Sequence, residues 1–314
     1  MRGIAVPGAL IFGISAPFLH RMSMDSQRPR VGLLFNATTP ALLAHAPDLV
    51  EHLSMMPNRY WLDFGSRTRT GQRFHFDEAL LSHFALQGRG RSLAGHGLGL
   101  SLPTAGPLDL PMALAIQKVG ESVGGLLWFS EHLNLFHPPG CSLLNGDAGL
   151  PLPVVYDEES YQLIACKLEA LQSNLPCPLL LENGSFYTPI PEQDMEESEF
   201  LNRLFQEGLC GTLLDLHNLL VNARNGGPDP VAYLEALDPT SVIEVHLAEG
   251  MDLNGFYTDS HSSIPPEEVW ELAEVYLPRC PNLRAITLEY EESFFDDIGL
   301  DALTSQLERM HLLV

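Results

Sequence analysis

Imidazoles and carboxylates recur in this 314-residue chain at one kind of position, where a short apolar run gives out. The densest case is Gly211-Thr-Leu-Leu-Asp-Leu-His-Asn-Leu-Leu220, which opens like a β-strand and then places Asp215, His217 and Asn218. Residues two apart on an extended chain point to the same side, so Asp215 and His217 are expected to share a face. An unpaired carboxylate costs too much in an apolar core. That face is therefore either a hydrogen-bonded polar plug or a surface turned toward a metal or a substrate. His132 closes another run, Glu182 and Asn183 a third, and His246 a fourth, with Glu249 just beyond. Asp259 and His261 follow in the next loop, and Glu289 closes a last run. His96 opens its run, His96–Leu102, as drawn; it joins the others only if the strand lies nearer Ser92–His96.

Four or five imidazoles with as many carboxylates exceed what one ion needs, since a metal takes about four to six ligands. Mixed imidazole and carboxylate ligation suits iron, manganese or zinc, and bridging carboxylates hold a second or third ion. Each residue also has a plainer reading. A lone strand-end histidine is more often a hydrogen-bonded structural residue. Glu182 and Asn183 could cap the segment that follows, Asp259–His261 could form an Asx turn, and Glu289 could pair with Arg284. The shared position at strand ends favours the metal. His20, His45, His52, His83 and His311 are expected on the surface, His75 at a helix entry, and His137 in a loop. The acids of Glu196–Glu199 and Glu291–Glu292 read as solvated faces.

Positioning such a set requires many strands that finish on one side. From Val31 on, apolar runs alternate with amphipathic segments. Strands are expected at Val31–Asn36, Tyr60–Phe64, His96–Leu102, Gly125–Leu133, Pro178–Asn183, from Gly211, at Val242–Leu247 and at Arg284–Tyr290. Helical segments are expected at Pro40–Leu53, Phe76–Leu86, Asp109–Val123, Asp157–Gln172, Glu196–Glu207, Asp229–Leu237, Pro265–Tyr276 and Leu300–Met310. Eight of each is the count of a single α/β domain, a (β/α)8 TIM-type barrel whose chemistry sits at the C-terminal ends of its strands. An open doubly wound sheet is the alternative, but His96-Gly-Leu-Gly-Leu lacks the third glycine of a phosphate turn. The Pro- and Gly-rich stretch Asn134–Val155 is long enough to be functional.

Forty acidic residues against 17 basic ones give a formal charge of −23. Such a surface repels phosphate backbones and anionic lipid, which argues against nucleic acid and membrane partners and favours a basic peptide or a cation. The five cysteines are scattered with no C-x-x-C pair. They read as reduced packing thiols of a cytoplasmic protein and argue against iron–sulfur and structural zinc. Residues 1–30 are expected to be a poorly ordered or misassigned N-terminal extension. Their apolar run is broken by Pro7, Gly8, Gly13 and Pro17, and Met22 and Met24 stand just before Arg28-Pro-Arg-Val-Gly32. The domain proper is expected over 31–314.

Several motifs occur in a fixed order: His96-Gly-Leu-Gly-Leu-Ser-Leu102, Ser130-Glu-His-Leu133, Pro151-Leu-Pro153, Leu180-Leu-Glu-Asn183 and Leu214-Asp-Leu-His-Asn218. Asn222, Asp229-Pro230, Tyr233-Leu234, Glu244-Val-His-Leu-Ala248, Asp259-Ser-His261 and Val269-Trp270 follow. Over roughly residues 31 to 291 the chain resembles the multinuclear non-heme iron-dependent oxidases, of the methanobactin-biosynthesis type. The resemblance implies a TIM-type barrel with two or three iron ions, mixed ferrous and ferric, and dioxygen as co-substrate. It implies ligation by His96, His132, Glu182, Asp215, His246, Asp259, His261 and Glu289, with Asp215, His217 and Asn218 at the reacting centre. It also implies a ribosomally made precursor peptide as substrate, modified at cysteine or at asparagine or aspartate, and a partner protein that holds the leader. Asn183, Arg67, Arg69 and His137 are candidates for contact with that peptide. Two departures stand out. Asp63-Phe-Gly65 takes the place of a Glu-Val-His at the expected second strand, and His217-Asn218 takes the place of paired asparagines. A sugar isomerase or phosphodiesterase on the same barrel, and a non-catalytic metal- or peptide-binding scaffold, are the rival readings.

Overall fold

A computed structural model describes residues 28–65, 71–136, 151–187 and 192–314. In chain order its strands are β1 (Arg30–Leu34), β2 (His52–Met55), β3 (Trp61–Asp63), β4 (Phe74–Phe76), β5 (Ser92–Gly97) and β6 (Phe129–His132). Then come β7 (Leu179–Glu182), β8 (Gly211–Asp215), β9 (Val242–Leu247), β10 (Met251–Leu253), β11 (Phe256–Thr258) and β12 (Ala285–Leu288). Eight of them close a barrel in the order β1-β12-β9-β8-β7-β6-β5-β2, every pairing parallel. The remaining four form two antiparallel hairpins, β3–β4 after β2 and β10–β11 after β9. The expected (β/α)8 barrel is thus the observed fold, and the open sheet is excluded.

Helices alternate with the barrel strands. They are α1 (Thr39–His45), α2 (Glu78–Gln87), α3 (Leu110–Ser122), α4 (Glu158–Gln172), α5 (Glu197–Gln206), α6 (Leu216–Arg224), α7 (Pro230–Ala236), α8 (Glu267–Tyr276), α9 (Phe295–Ile298) and α10 (Leu300–His311). Aspartates cap α2 (Asp77), α3 (Asp109), α4 (Asp157), α6 (Asp215) and α7 (Asp229) through backbone N–H groups, each cap contributing about 1 kcal/mol. The helices bury one apolar stripe against the barrel. In α5 it is Phe200, Leu201, Leu204 and Phe205, and in α8 it is Val269, Trp270, Ala273 and Tyr276.

Three elements depart from expectation. The second barrel strand is His52–Met55, not Tyr60–Phe64. The helix before it stops at His45 because Pro47 bars its predecessor from helical geometry, and Ala46 turns out at φ −133°. Tyr60 ends a 3-10 turn and Trp61–Asp63 is extended, but it pairs with Phe74–Phe76 in a hairpin that leaves Leu62 and Phe64 exposed. The end of the second strand is therefore Met55-Met56, and the comparison at Asp63–Gly65 fell on the wrong segment. His52, expected on a helical surface, is fully buried inside the barrel. The third strand ends rather than begins near His96, which resolves the position left open above. The sixth ends at Asp215, where α6 starts at once. Asp215 and His217 do not share a strand face: the second of them is already in the first turn of a helix.

Inside the barrel the alternation of each strand stacks two layers. A polar ring is made by His96, His132, Glu182, Asp215, His246 and Glu289. Two or four residues earlier on the same strands stand Ala94, Trp128, Leu180, Leu213 and Ala285, which form a small apolar cluster with Ile243 and Phe205. Small residues in this layer leave room for the Trp128 indole. Between Thr212 and Leu213 the register of β8 against β9 shifts by one residue, so that Leu213 lies opposite Glu244. Such irregularities re-aim side chains near functional sites.

A candidate multinuclear metal centre

The C-terminal ends of β5 to β9 and β12 bring together every strand-end residue the sequence singled out as a ligand. His132 Nε2 lies 2.9 Å from His96 Nε2 and 3.1 Å from Glu182 Oε2, and His96 Nε2 lies 3.4 Å from the same oxygen. Two imidazole nitrogens this close need a proton or a cation between them. Across the mouth, His246 Nδ1 is 3.0 Å from Glu289 Oε1, and His261 Nε2 is 2.9 Å from Asp259 Oδ1 and 3.5 Å from Glu289 Oε2. Three overlapping ligand sets result: His96, His132 and Glu182; Glu182, Asp215 and His246; and His96, His246 and Glu289. Within each set the ligand atoms lie within 4.8 Å of one another. His96, Glu182 and His246 each belong to two sets, the sharing that adjacent ions require.

Local structure fixes these groups. Ser130 Oγ gives its own proton to Gly95 O at 3.1 Å and so accepts from His96 Nδ1–H at 2.9 Å. That leaves the His96 Nε2 lone pair turned toward the centre. Asp215 spends Oδ1 on the N-cap bond from Asn218 N at 2.8 Å, while Oδ2 is buried without a hydrogen bond. Asn183 clamps the backbone of Asp215 from both sides, accepting from its N–H and donating to its carbonyl. Asn218 reaches Glu182 Oε1 at 3.3 Å. His261 holds a left-handed backbone, φ 52°, between hydrogen bonds to Glu249 O and from Glu291 N. Left-handed geometry at a non-glycine residue costs about 1 kcal/mol or more and is characteristic of functional sites. Gly250 makes room for the β10–β11 hairpin, since a Cβ there would run into the Thr258 carbonyl.

Electrostatics divide the centre in two. Burial pushes Glu182 well above the usual carboxylate range and Asp215 up to about 6, where the Asp259 and Glu289 charges add to it. Burial also lowers His96 to about 4 and His132 well below its usual value, and in each case a neighbouring imidazole adds to the fall. On the opposite side burial works against charge and loses. Glu289 and Glu244 hold His246 well above the usual range, and Asp259 and Glu289 hold His261 at about 10. Against its own burial, Glu289 is kept down to about 2 by His246 and His261, and Asp259 well below its usual value by His261 and His217.

A metal fits this donor set. Glu182 Oε2, Asp215 Oδ2, His246 Nδ1, His261 Nε2 and Glu289 Oε1 are buried with no hydrogen bond, although such atoms are ordinarily paired. Cations among them would supply the missing partners and let the acids ionise. Above the centre opens a cavity of about 370 Å³, within the range of small-ligand sites. Beyond the ligand residues it is lined by Leu34, Phe35, Met56, Leu98, Phe136 and Pro151, with Asn36, Arg59, Ser185, Tyr187 and Glu291 among its polar members.

Some expected residues stand elsewhere. His217 bonds through Nδ1 to Asp259 Oδ1 at 3.0 Å and thereby supports that acid. Glu249 accepts from Ser262 at 2.9 Å outside the ligand sets. Glu289 pairs with two histidines of the mouth rather than with Arg284. Glu197, read as solvated, is buried and accepts from Tyr156 Oη at 2.5 Å and Gly184 N at 3.0 Å, and burial pushes it up to about 7. Arg67, Arg69 and His137 lie outside the described residues. His52 and Glu244 are among the buried groups that escaped the sequence reading. Glu244 was open to detection, because it stands two residues before His246 and must share its face.

A family profile described as "RiPP precursor modification enzyme MbnB/TglH/ChrH" matches residues 43–311. An UPF0276 protein of Neisseria meningitidis serogroup B is 32% identical over 204 residues, covering 64% of this chain and 70% of that protein. An UPF0276 protein of Anaeromyxobacter sp. is 31% identical over 255 residues, covering 75% and 82%. Among solved structures, D-psicose 3-epimerase of Clostridium cellulolyticum H10 superposes with a TM-score of 0.56 at 8% identity, covering 88% of this chain and 97% of that one. The IolI protein with a bound zinc atom gives 0.55 at 11%, covering 91% and 98%. At such identities the structural likeness speaks for the barrel alone. The profile covers nearly the whole chain, and its residues are those of the barrel just described: the chain belongs to the MbnB/TglH/ChrH family of RiPP precursor modification enzymes.

Proposed function

We propose that the chain is a multinuclear non-heme iron oxidase that uses dioxygen to modify a ribosomally made precursor peptide at a cysteine, asparagine or aspartate side chain. The observation that carries this reading is the overlap of three ligand sets through His96, Glu182 and His246. A single-ion site has no use for shared ligands. His96, His132, Glu182, Asp215, His246 and Glu289 would hold the ions, with Asp259 and His261 completing the mouth. Bound there, iron supplies one-electron chemistry and dioxygen activation. The protein's own part is to orient and to exclude water. Asn183 and the N-cap bond fix Asp215, Ser130 fixes His96, and the apolar wall at Phe35, Met56 and Phe136 keeps the approach dry. The cavity admits a side chain and its immediate backbone, so the rest of the peptide lies on the outer rim or on a leader-binding partner protein.

Purified protein is expected to hold more than one iron per chain by plasma emission, with mixed valence in Mössbauer spectra. It is expected to consume dioxygen only with its cognate peptide. Folded, active protein free of metal overturns the reading. A zinc or manganese protein that isomerises a sugar without consuming dioxygen replaces it.

A further inference from the structure

Glu244 belongs to a motif the ligand set does not absorb, and it is fully buried beneath the centre. Both its oxygens are engaged inside the barrel. Oε2 accepts from Trp128 Nε1 at 2.6 Å, and Oε1 accepts from Thr287 Oγ1 at 2.6 Å. His52 Nε2 and His246 Nε2 approach the same Oε1 at 3.5 and 3.3 Å. His52 in turn stacks on Trp128, with centroids 5.2 Å apart and 21° between planes, and its Nδ1 meets Ser92 Oγ at 2.8 Å. Four residues from β2, β5, β12 and the approach to β6 thus fix the carboxylate directly or through one another. With its oxygens so used, Glu244 is not a ligand. A buried carboxylate is also an expensive way to fill a barrel, since an apolar residue of similar size is often as stable.

The His246 ring spans the boundary between floor and mouth. Its Nε2 lies 3.3 Å from Glu244 Oε1, close but short of an aligned hydrogen bond, and its Nδ1 lies 3.0 Å from Glu289 Oε1. We propose that Glu244 is a positioning residue that keeps the proton on His246 Nε2 and so makes Nδ1 the metal-binding nitrogen. This assignment rests on the metal centre proposed above. The physical warrant is general: a ligating imidazole whose other N–H meets a carboxylate is fixed in tautomer and orientation and made a stronger donor, and loss of that partner weakens metal binding about 10- to 100-fold. Thr287 and Trp128 hold the carboxylate, and His52 backs the indole. A ring that loses this floor is free to turn about its bond to the backbone and to offer either nitrogen.

The experiment compares wild-type protein with Glu244→Leu and Glu244→Gln. Metal content and retention against a chelator are read alongside unfolding of the metal-free forms. Glu244→Leu leaves Trp128 Nε1–H and Thr287 Oγ1–H without their acceptor and lowers metal-free stability; it is expected to lose iron affinity about 10- to 100-fold while the metal-free chain stays folded. Glu244→Gln, whose amide oxygen still accepts from Nε2–H, is expected to recover most of it. In zinc-loaded wild-type protein, ¹⁵N correlation spectra of the imidazoles should show His246 bound through Nδ1 and protonated at Nε2; this measurement needs no variant. Binding through Nε2, or iron retention in Glu244→Leu equal to wild type, overturns the assignment. A Glu244→Leu chain whose lost metal only follows a matching loss of metal-free stability, with Glu244→Gln no better, also overturns it and leaves Glu244 a structural residue. Wild-type protein that takes up no transition metal overturns the centre itself, a result distinct from the others.

Discussion

Asp215 illustrates how one side chain serves the helix and the centre at once. Its Oδ1 caps α6, and its Oδ2 is left for a cation. Burial, with Asp259 and Glu289 nearby, holds its carboxyl up to about 6, and His261 on the other side stays protonated to about 10. Ligation requires the ligands to be deprotonated, so metal uptake at pH 7 must displace protons from His261, His246 and Glu182, all held above their usual ranges, and below about pH 6 the Asp215 proton as well. Each displaced proton changes apparent affinity by about tenfold per pH unit. Affinity measured by chelator competition is therefore expected to rise with pH between 5 and 8, more steeply below 6; a flat profile contradicts this. Glu182 sits in two ligand sets and His132 in one, so Glu182→Ala should remove more metal per chain than His132→Ala, and His246→Ala should lose metal while the barrel's circular dichroism persists. The ligand types were legible because strand ends repeat them. His52 and Glu244 were not: His52 stands in a helical-looking stretch, and the partners of Glu244, Trp128 and Thr287, are far from it in sequence.

The same division between legible and hidden holds for the elements. Strands bounded by clear turns, such as β7, β9 and β12, sit where alternation placed them. Confusion arose where two extended apolar segments follow each other, His52–Met55 and Trp61–Asp63, since period alone cannot say which enters the barrel and which forms a hairpin. Helix α6 was missed for a related reason, because leucines run through Gly211–Leu220 from end to end and its strand passes into helix with no linker. That abrupt junction is what places Asp215, and Asn222 in α6 and Asn225 just after it then grip both neighbours. Asn222 accepts from Phe186 N and donates to Gly184 O, while Asn225 accepts from Tyr257 N and donates to Tyr257 O and Phe186 O. Asn183 does the same for the β7–β8 seam. Asn183→Ala leaves the buried Asp215 N–H without its partner, while the Asp215 carbonyl keeps the first bond of α6, and is expected to cost about 1–3 kcal/mol, measured as a lower urea midpoint of the metal-free protein with unchanged slope.

At the scale of the whole molecule the formal charge of −23 sets the terms of encounter. A basic precursor or leader is drawn in over roughly a Debye length, about 10 Å at 0.1 M salt. Its association rate is expected to fall steeply as salt rises from about 20 to 200 mM, while dissociation changes little; an on-rate indifferent to salt would assign recognition to apolar contacts instead. Among the described residues, no helix is long and apolar enough to cross a membrane. Around the barrel the centre is lopsided. β5 to β9 and β12 contribute imidazoles and acids, whereas β1 and β2 end in Leu34-Phe35 and Met55-Met56. Ions held at such a mouth would face a reacting carbon from one flank only, with Leu34, Phe35 and Met56 beside Asn36 and Arg59 on the other. Chirality at that carbon is then dictated by the architecture: with a substrate carrying deuterium at one of two prochiral positions, the label should be lost entirely or kept entirely, according to which hydrogen was replaced.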